Sequence, residues 1–269
     1  MVDLIKVIIL GIVEGLTEFL PISSTGHLIV AAALLDFGAR MGGTFEIFIQ
    51  IGAVVAVIVY YRAELLKQVA SVPKDKGVQR FWAAVVIAFI PAAGLGFLFS
   101  DDIKVVLFNP TVVAISLIVG GIIFLIIERM GIAAKADTHE ITAISPRQAI
   151  IVGVAQIAAL IPGVSRSGAT IVGGMLSGLD RSTATQFSFY LAIPLLGIAT
   201  LYDLVKSLSH LESNDLVFLV VGAVVSGLVA WLSIRWLLRY VSRNSFNVFG
   251  YYRILAGVVI LVLVAMARL

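Results

Sequence analysis

Long apolar runs recur along this chain and decide the solvent in which it folds. We place six of them, near residues 45–61, 81–99, 110–128, 186–206, 216–237 and 248–267. A helix needs ~20 consecutive apolar residues to cross the hydrocarbon core of a bilayer. Charged residues make up only 13% of the chain, against roughly 25% in a soluble domain. The sequence therefore predicts an all-α polytopic membrane protein with six transmembrane helices, folded as a single membrane domain over residues 1–269.

Basic residues concentrate in the loops 62–80 and 235–243 and orient the predicted spans. Loops rich in Lys and Arg remain on the cytoplasmic side of a membrane, so the more acidic segments 100–109 and 203–215 should face outward. All six spans obey this alternation, and both termini are then expected outside. The chain has no cysteine, which excludes disulfides and thiolate metal sites. Its net charge of +3 is confined to particular loops and does not indicate a nucleic-acid partner.

Two polar stretches, broken by proline and glycine, interrupt the apolar chain at matching places. Residues 14–27 read EGLTEFLPISSTGH, and residues 156–170 read QIAALIPGVSRSGAT. Laid over one another without gaps, Ser23 meets Ser165, an offset of 142 residues. We predict two repeats, one over about residues 1–130 and one over about 146–269. In membrane proteins, interrupted hydrophobic segments at corresponding places in two halves are the best sequence pointer to a binding site.

The segment after each break is too short to cross a bilayer. Segments 25–38 and 167–179 follow the apolar segments 4–20 and 147–161, and neither reaches the ~20 residues of a span. We predict two re-entrant helical hairpins whose tips meet near the middle of the bilayer. Each half then has one hairpin and three spans, and this odd number makes the repeat an inverted one. The alternative, in which the first two helices both span and the crossings number eight or more, stays open at this stage.

The two tips carry the features of an anion site. A helix N-terminus offers free N–H groups and the positive end of the helix dipole. Hydroxyl donors, and glycines that let the backbone approach a ligand, surround both helix openings: Ser23, Ser24, Thr25 and Gly26 in the first, and Ser165, Ser167, Gly168 and Thr170 in the second. Arg166 adds a planar guanidinium that suits phosphate oxygens. The tips therefore predict phosphate binding, although the same hydroxyls would also cap the helices.

Glu14 and Glu18 lie four residues apart and hence on one face of the first helix. Two carboxylates repel a nearby anion unless a cation or a proton lies between them. Because Mg²⁺ is typically held by one or two carboxylates together with substrate phosphates, the pair predicts metal-assisted phosphate chemistry or a proton relay. The alternative is that these side chains line a water-filled vestibule and take no part in the chemistry.

Four other polar side chains fall within the predicted apolar region. His27 lies one turn into the second helix, where it could act as base, acid or nucleophile. Glu46 and Gln50, again four residues apart, are candidates for the same cavity. Arg253 follows two tyrosines, and we interpret it as an interfacial anchor in preference to a site residue.

The two polar stretches resemble the two signatures of the bacterial undecaprenyl-pyrophosphate phosphatase family, which is associated with bacitracin resistance. The resemblance extends over essentially the whole chain. It implies an integral inner-membrane hydrolase that removes the terminal phosphate from undecaprenyl pyrophosphate and so recycles the lipid carrier for peptidoglycan and cell-wall synthesis. It also implies a divalent cation, Mg²⁺ or Ca²⁺, and a site that opens to the periplasmic side. The expected partner is the lipid substrate in the bilayer; a homodimer is left open.

For that reaction we predict Ser24 as the nucleophile and His27 as the group that takes and returns its proton. Glu14 and Glu18 would hold the cation, and Arg166 would clamp a phosphate. In the rival mechanism His27 is the nucleophile or activates water directly. A different class of function, an inverted-repeat secondary transporter or a lipid-carrier flippase, fits the same pattern. An enzyme releases inorganic phosphate in detergent, whereas a transporter turns over only across a sealed bilayer.

Overall fold

A computed structural model describes residues 2–37, 44–99, 107–207 and 213–266. Its regular elements over these residues are helices: α1 Val2–Thr17, α2 Ser24–Leu34, α3 Thr44–Phe48, α4 Gln50–Tyr60, α5 Arg62–Ser71, α6 Lys76–Leu98, α7 Pro110–Arg129, α8 Pro146–Ile157, α9 Arg166–Leu176, α10 Arg181–Ser207, α11 Ser213–Val241 and α12 Asn247–Ala265. Short 3₁₀ turns add Ile132–Lys135, Ile141–Ala143 and Ala158–Leu160. The predicted all-α class is confirmed.

Five of these helices are long and apolar enough to cross a membrane: α6, α7, α10, α11 and α12. A sixth candidate span is reached only if α3 and α4 are taken together with α5, a pair bent by 68°. The chain is thus a multi-pass membrane protein with five to six candidate spans within its described ranges.

The first predicted span differs from the structure at both ends. It is interrupted at Ile49, and after Tyr61 the chain turns and continues as α5, where the sequence predicted a loop. Residues 62–71 (RAELLKQVAS) are mostly good helix formers, so the backbone stays helical while its direction changes. One side of α5 packs inward through the buried Gln68, and Leu66 and Val69 remain exposed.

The segments on either side of each polar break fold as helical hairpins, α1 with α2 and α8 with α9. Capping residues set several helix starts. Ser145 forms a capping box with Gln148 and is followed by Pro146 at the first turn of α8. Asn109 Oδ1 accepts the Val112 N–H at the start of α7, 2.9 Å away, and so caps this helix.

Glycines allow the spans to pack with their backbones close together. A Cβ on Gly15 of α1 would lie 2.3 Å from the Ser226 carbonyl of α11, and one on Gly52 of α4 would lie 2.0 Å from the Ala223 carbonyl. Small residues at such positions are the usual device of helix packing in membranes. Helices α1 and α4 therefore pack directly on α11, and this fixes the frame around the first hairpin.

Candidate active site

The two hairpin turns meet each other in the fold. Ser167 Oγ, at the start of α9, donates to the Leu20 carbonyl of the first turn over 3.0 Å. Ser23 and Ser165 both have positive φ, 73° and 75°. Each hydroxyl accepts a backbone N–H three residues on, from Gly26 and from Gly168 respectively. The two turns thus share one local geometry, and both helix openings lie side by side.

Glu18 joins the two openings. Its Oε2 accepts a 2.5 Å hydrogen bond from Ser24 Oγ, and its Oε1 pairs with Arg166 Nη2 at 3.2 Å. The side chains of Arg166 and Glu18 are only 9% and 5% exposed, so the ion pair is shielded from bulk solvent. A carboxylate in this position can accept the serine proton, and a guanidinium beside it can stabilise an oxyanion.

A second set of contacts orients Arg166. Its Nη1 donates to the Ser188 carbonyl of α10 at 2.9 Å, and its guanidinium lies over the Phe19 ring at 5.9 Å. The Thr170 hydroxyl lies 2.8 Å from Ser188 Oγ. The guanidinium is therefore held on several sides, which reduces the reorganisation needed when an anion binds.

Glu14 lies one turn before Glu18 and is fully buried. Among the residues that the structure describes, neither of its carboxylate oxygens has a hydrogen-bond partner. Glu18 and Arg166 are its charged neighbours. A buried carboxylate without partners is costly unless a proton or a cation accompanies it, so Glu14 can serve a cation or a proton here.

A cavity of about 520 Å³ opens from this cluster. Its polar lining residues include Glu18, Ser23, Ser24, Thr25, Gln50, Gln156, Ser165 and Arg166. Much of the remaining wall is apolar and includes Phe89, Phe97, Phe108, Leu195 and Ile198, with Tyr202, Asp203 and Lys206 among the further lining residues. A ligand with an anionic head and an apolar body would match this division.

Some of the predicted site residues line the cavity, and others do not. Among the latter are Glu14, Gly26, His27, Ser167, Gly168 and Thr170, and Glu46 also lies outside the lining. Two contributions to the site were not anticipated. Gln156 lines the cavity with its Oε1 buried and unpartnered, and Ser188 orients Arg166. The alignment of Gln156 with Glu14 was a signal for the first, whereas no local pattern distinguishes Ser188.

The His27 ring is engaged on both sides. Nδ1 lies 2.8 Å from the Ser23 carbonyl, and Nε2 lies 2.7 Å from the Tyr252 hydroxyl. The ring also stacks on Tyr252 with centroids 5.6 Å apart. Since a carbonyl only accepts, Nδ1 carries a proton, and in the neutral ring Nε2 accepts from Tyr252. In this arrangement His27 binds protein groups with both nitrogens.

Arg253 is not at an interface. Its side chain is fully buried, and its guanidinium donates to the carbonyls of Pro21 and Gly163, one in each hairpin turn. The interpretation of Arg253 as an interfacial anchor is therefore wrong. The missed signal was an arginine placed within an apolar run, since ionisable groups inside membrane segments face the protein interior or a cavity.

The helices and the cluster define a class: a multi-pass helical membrane protein with a buried serine, carboxylate and arginine site at the junction of two hairpins. The chain belongs to the family described as bacitracin resistance protein BacA, whose sequence profile matches residues 7–259. It is 53% identical over 260 residues to the undecaprenyl-diphosphatase of Albidiferax ferrireducens, covering 96% of this chain and 94% of that protein. It is 51% identical over 266 residues to the undecaprenyl-diphosphatase of Deinococcus radiodurans, covering 98% and 96%.

Proposed function

We propose that this chain hydrolyses undecaprenyl diphosphate to undecaprenyl phosphate and inorganic phosphate. The observation that carries the proposal is the Ser24, Glu18 and Arg166 cluster in the wall of a largely apolar cavity. A prenyl diphosphate has the matching form, with two phosphates on a hydrocarbon chain. Family membership and the names of both relatives support the same reaction. A cavity of about 520 Å³ is of the size that holds a small ligand, so the distal chain remains in the bilayer.

Ser24 attacks the terminal phosphorus. A serine hydroxyl is a weak nucleophile and needs a nearby base, and Glu18 Oε2, 2.5 Å from Ser24 Oγ, takes its proton. The bond from Ser24 Oγ to phosphorus forms as the bond from phosphorus to the bridging oxygen breaks, and the lipid phosphate leaves. Water then attacks the phosphoserine, inorganic phosphate departs, and the proton on Glu18 returns to Ser24.

Arg166 and the two helix openings stabilise the charge that develops on the phosphoryl oxygens. Arg166 exchanges part of its contact with Glu18 for the phosphate, while Ser188 keeps it aimed at the cavity. His27 acts through position: its bond to the Ser23 carbonyl holds the residue before the nucleophile. We therefore assign to Glu18 the proton-transfer role that the sequence predicted for His27. The rival mechanisms remain phosphorylation of His27 and direct attack by water.

The residues around Glu14 fit a divalent cation, Mg²⁺ or Ca²⁺. Glu14 offers two unpartnered, buried oxygens, and Glu18 lies one turn further along α1. The described residues contain no group of three or more His, Cys, Asp or Glu side chains suited to a metal. Substrate phosphate oxygens would complete the coordination, as is common for Mg²⁺. A bound cation would supply charge neutralisation at the diphosphate.

The proposal includes an inverted repeat with two re-entrant hairpins and a site that opens to the periplasmic side. Matching lengths support the repeat: α2 and α9 both have 11 residues and begin 142 residues apart, at Ser24 and Arg166. Their matched serine caps support it further. The basic residues of segments 62–80 and 235–243, cytoplasmic by the positive-inside rule, support the orientation.

Phosphate release by the purified protein in detergent tests the reaction. The wild type should release inorganic phosphate from a prenyl diphosphate, Ser24→Ala and Glu18→Gln should each abolish most of it, and Ser233→Ala should not. Ser233 is a matched control because it is buried and bonds only within α11. Turnover that appears only across a sealed bilayer would replace the enzyme with a transporter or flippase.

Trapping separates the three mechanisms. Turnover quenched in acid and in base, followed by mass spectrometry, should place phosphate on Ser24. Phosphate on His27 would overturn the serine assignment. Inversion of configuration at the terminal phosphorus of an isotopically chiral thiophosphate substrate would favour direct water attack, because two successive displacements through an adduct give retention.

A further inference from the structure

Arg253, in the middle of α12, makes contacts that join three separate parts of the chain. Nη1 donates to the Pro21 carbonyl at 3.0 Å, and Nη2 donates to the Gly163 carbonyl at 3.0 Å. The guanidinium also reaches α7, where Nη2 donates to Ser116 at 3.2 Å and Nε donates to Leu117 at 3.4 Å. One side chain thus bonds both hairpin turns to a single spanning helix.

The burial of the Arg253 guanidinium is costly and must be compensated by its contacts. Arg253 is 0% exposed, and no carboxylate among the described residues lies within ion-pair distance of it. Removing a charge from water costs several kcal/mol unless it is well hydrogen-bonded. Four carbonyl oxygens satisfy the guanidinium, so its stabilisation depends on both turns being in place. The reverse also holds: each turn depends on Arg253.

The surrounding sequence leaves room for this side chain. A Cβ on Gly120 of α7 would lie 2.0 Å from Arg253 Nη2, so no larger residue fits there without displacing the guanidinium. A Cβ on Gly168 would lie 3.3 Å from Nη1. The guanidinium therefore lies close to the first turn of α9 in addition to contacting the four carbonyls.

The two turn carbonyls lie just before the reacting groups. Pro21 is two residues before Ser23, and Gly163 is two residues before Ser165; both serines adopt positive φ. Non-glycine residues in that region are strained and persist only when the surroundings hold them. Arg253 supplies such a hold on both turns at once. It is absent from the cavity wall, so it does not reach the ligand there.

We propose that Arg253 is a positioning residue that holds the two hairpin turns in register, so that Ser24, Glu18 and Arg166 keep their spacing. The proposal rests on the proposed function for its kinetic readout. It predicts a loss in kcat with little change in KM, because the reacting groups move apart while the apolar wall on α6 and α10, which holds the hydrocarbon part of the ligand, does not belong to the turns.

The test uses Arg253→Lys, Arg253→Gln and the control Arg235→Lys. Arg235 is an exposed arginine stacked near Trp231 on α11. We expect Arg253→Lys to lower kcat by about 10- to 100-fold with KM within about two-fold of wild type. The control should match the wild type. Lysine keeps the charge but lacks the planar, forked set of donors that contacts four carbonyls at once. Glutamine keeps a hydrogen-bond donor and removes the charge.

A distance measurement gives a readout that does not depend on activity. The chain has no cysteine, so spin labels can be placed on single cysteines at Leu34 and Leu176, the exposed last residues of α2 and α9. The distance distribution between them should be narrow in the wild type and in Arg235→Lys, and broadened in both Arg253 variants. The measurement is made on the folded fraction isolated by size-exclusion chromatography.

Several outcomes would overturn the positioning role. These are normal kcat in Arg253→Lys, a rise in KM alone, or a kcat loss with an unchanged distance distribution. A lower melting temperature with unchanged kcat per folded molecule would reduce Arg253 to a stabilising residue and would also overturn it. If the wild type itself released no phosphate, the proposed function would fail, and the spin-label distances would still decide the positioning role.

Discussion

Glu18 lies between two hydrogen-bond donors, the Ser24 hydroxyl and the Arg166 guanidinium. A carboxylate in this position orients both partners before any ligand arrives. Preorganised donors and charges are usually the largest contribution to catalysis, because they need not reorganise during the reaction. At the residue scale, the site therefore depends on pairings that individual substitutions can separate.

Arg166→Lys retains the charge and removes the planar fork. Lysine cannot contact Glu18, Ser188 and a phosphate oxygen together, so we expect phosphate release to fall by about 10- to 100-fold, which corresponds to one lost charge-assisted hydrogen bond of ~1.5–3 kcal/mol. The control Arg62→Lys, at an exposed arginine of α5, should retain wild-type turnover. Near-normal turnover in Arg166→Lys would show that only the charge is required.

Glu14→Gln tests the cation. The amide has almost the same shape and removes the charge from two unpartnered buried oxygens. We expect lower turnover and a higher Mg²⁺ concentration for half-maximal phosphate release, with Glu140→Gln in an exposed loop as the control. If chelation leaves wild-type turnover intact, the metal role is wrong and Glu14 serves a proton relay.

At the element scale, the turns are tightly enclosed by their neighbours. Gly163 has φ +92°, and a Cβ there would lie 2.5 Å from the Val113 carbonyl of α7. Both the conformation and the space demand glycine. The second turn can therefore approach α7 and present its carbonyl to Arg253 only with this residue.

Gly163→Ala should therefore displace the second turn. We expect phosphate release to fall on the order of 100-fold, since a shift of ~1 Å at a catalytic group can have that effect. Gly94→Ala, in α6 with nothing within 4 Å of its Cβ position, is the matched control and should be neutral. Equal turnover in the two variants would show that the turn tolerates the displacement.

Asp180 caps α10 outside the spans and gives a pH dependence of stability. Burial raises its pKa, but hydrogen bonds from the Thr183 N–H and His139 outweigh burial, so the pKa is lowered overall. Such a group stabilises the fold above its unfolded pKa of ~3.9 and loses this contribution as pH falls through the lower folded value. Asp180→Asn should lower the melting temperature at pH 7, and this difference should shrink as the pH falls through the lowered folded pKa. A difference independent of pH would assign the effect to packing.

At the scale of the whole molecule, matched packing joins the two halves. The α1–α2 hairpin lies against α11, and the α8–α9 hairpin lies against α6, with Gly11 facing Gly222 and Gly153 facing Ala88. Arg253 links both turns from α12. The two halves are therefore in contact at the site itself, and a displacement of either hairpin would move the reacting groups.

The proposed inverted topology predicts where single cysteines react. In intact cells, an impermeant maleimide should label cysteines placed at Leu4 and Met266 near the two termini. A cysteine at Lys74, in the basic segment after α5, should react only after permeabilisation. The cysteine-free wild type is the background control. Labelling of the two termini from opposite faces would contradict the proposed topology.

The sequence by itself determined that the chain folds in a membrane, that it is all-α, and where most of its helices lie. Burial in a bilayer depends on the local run of apolar residues, so five spans were found to within a few residues of their ends, and all-α structure followed. The turn residues were also visible, because proline, glycine and serine within an apolar chain are costly unless they have a local purpose. Ser24, Glu18 and Arg166 were named on that ground, and the fold brings them into contact.

Only the tertiary structure decided which groups meet. The partners of Arg253 are the carbonyls of Pro21, Ser116 and Gly163, which lie far from it in the sequence, and its burial depends on all of them at once. His27 turns to Tyr252 because α12 lies beside α2. The bend after Tyr61 coincides with the end of the apolar run, but hydropathy did not show that the basic segment beyond it continues as a helix. Local composition sets the environment of each segment, whereas the direction and partner of a side chain are set by helices that pack from distant parts of the chain.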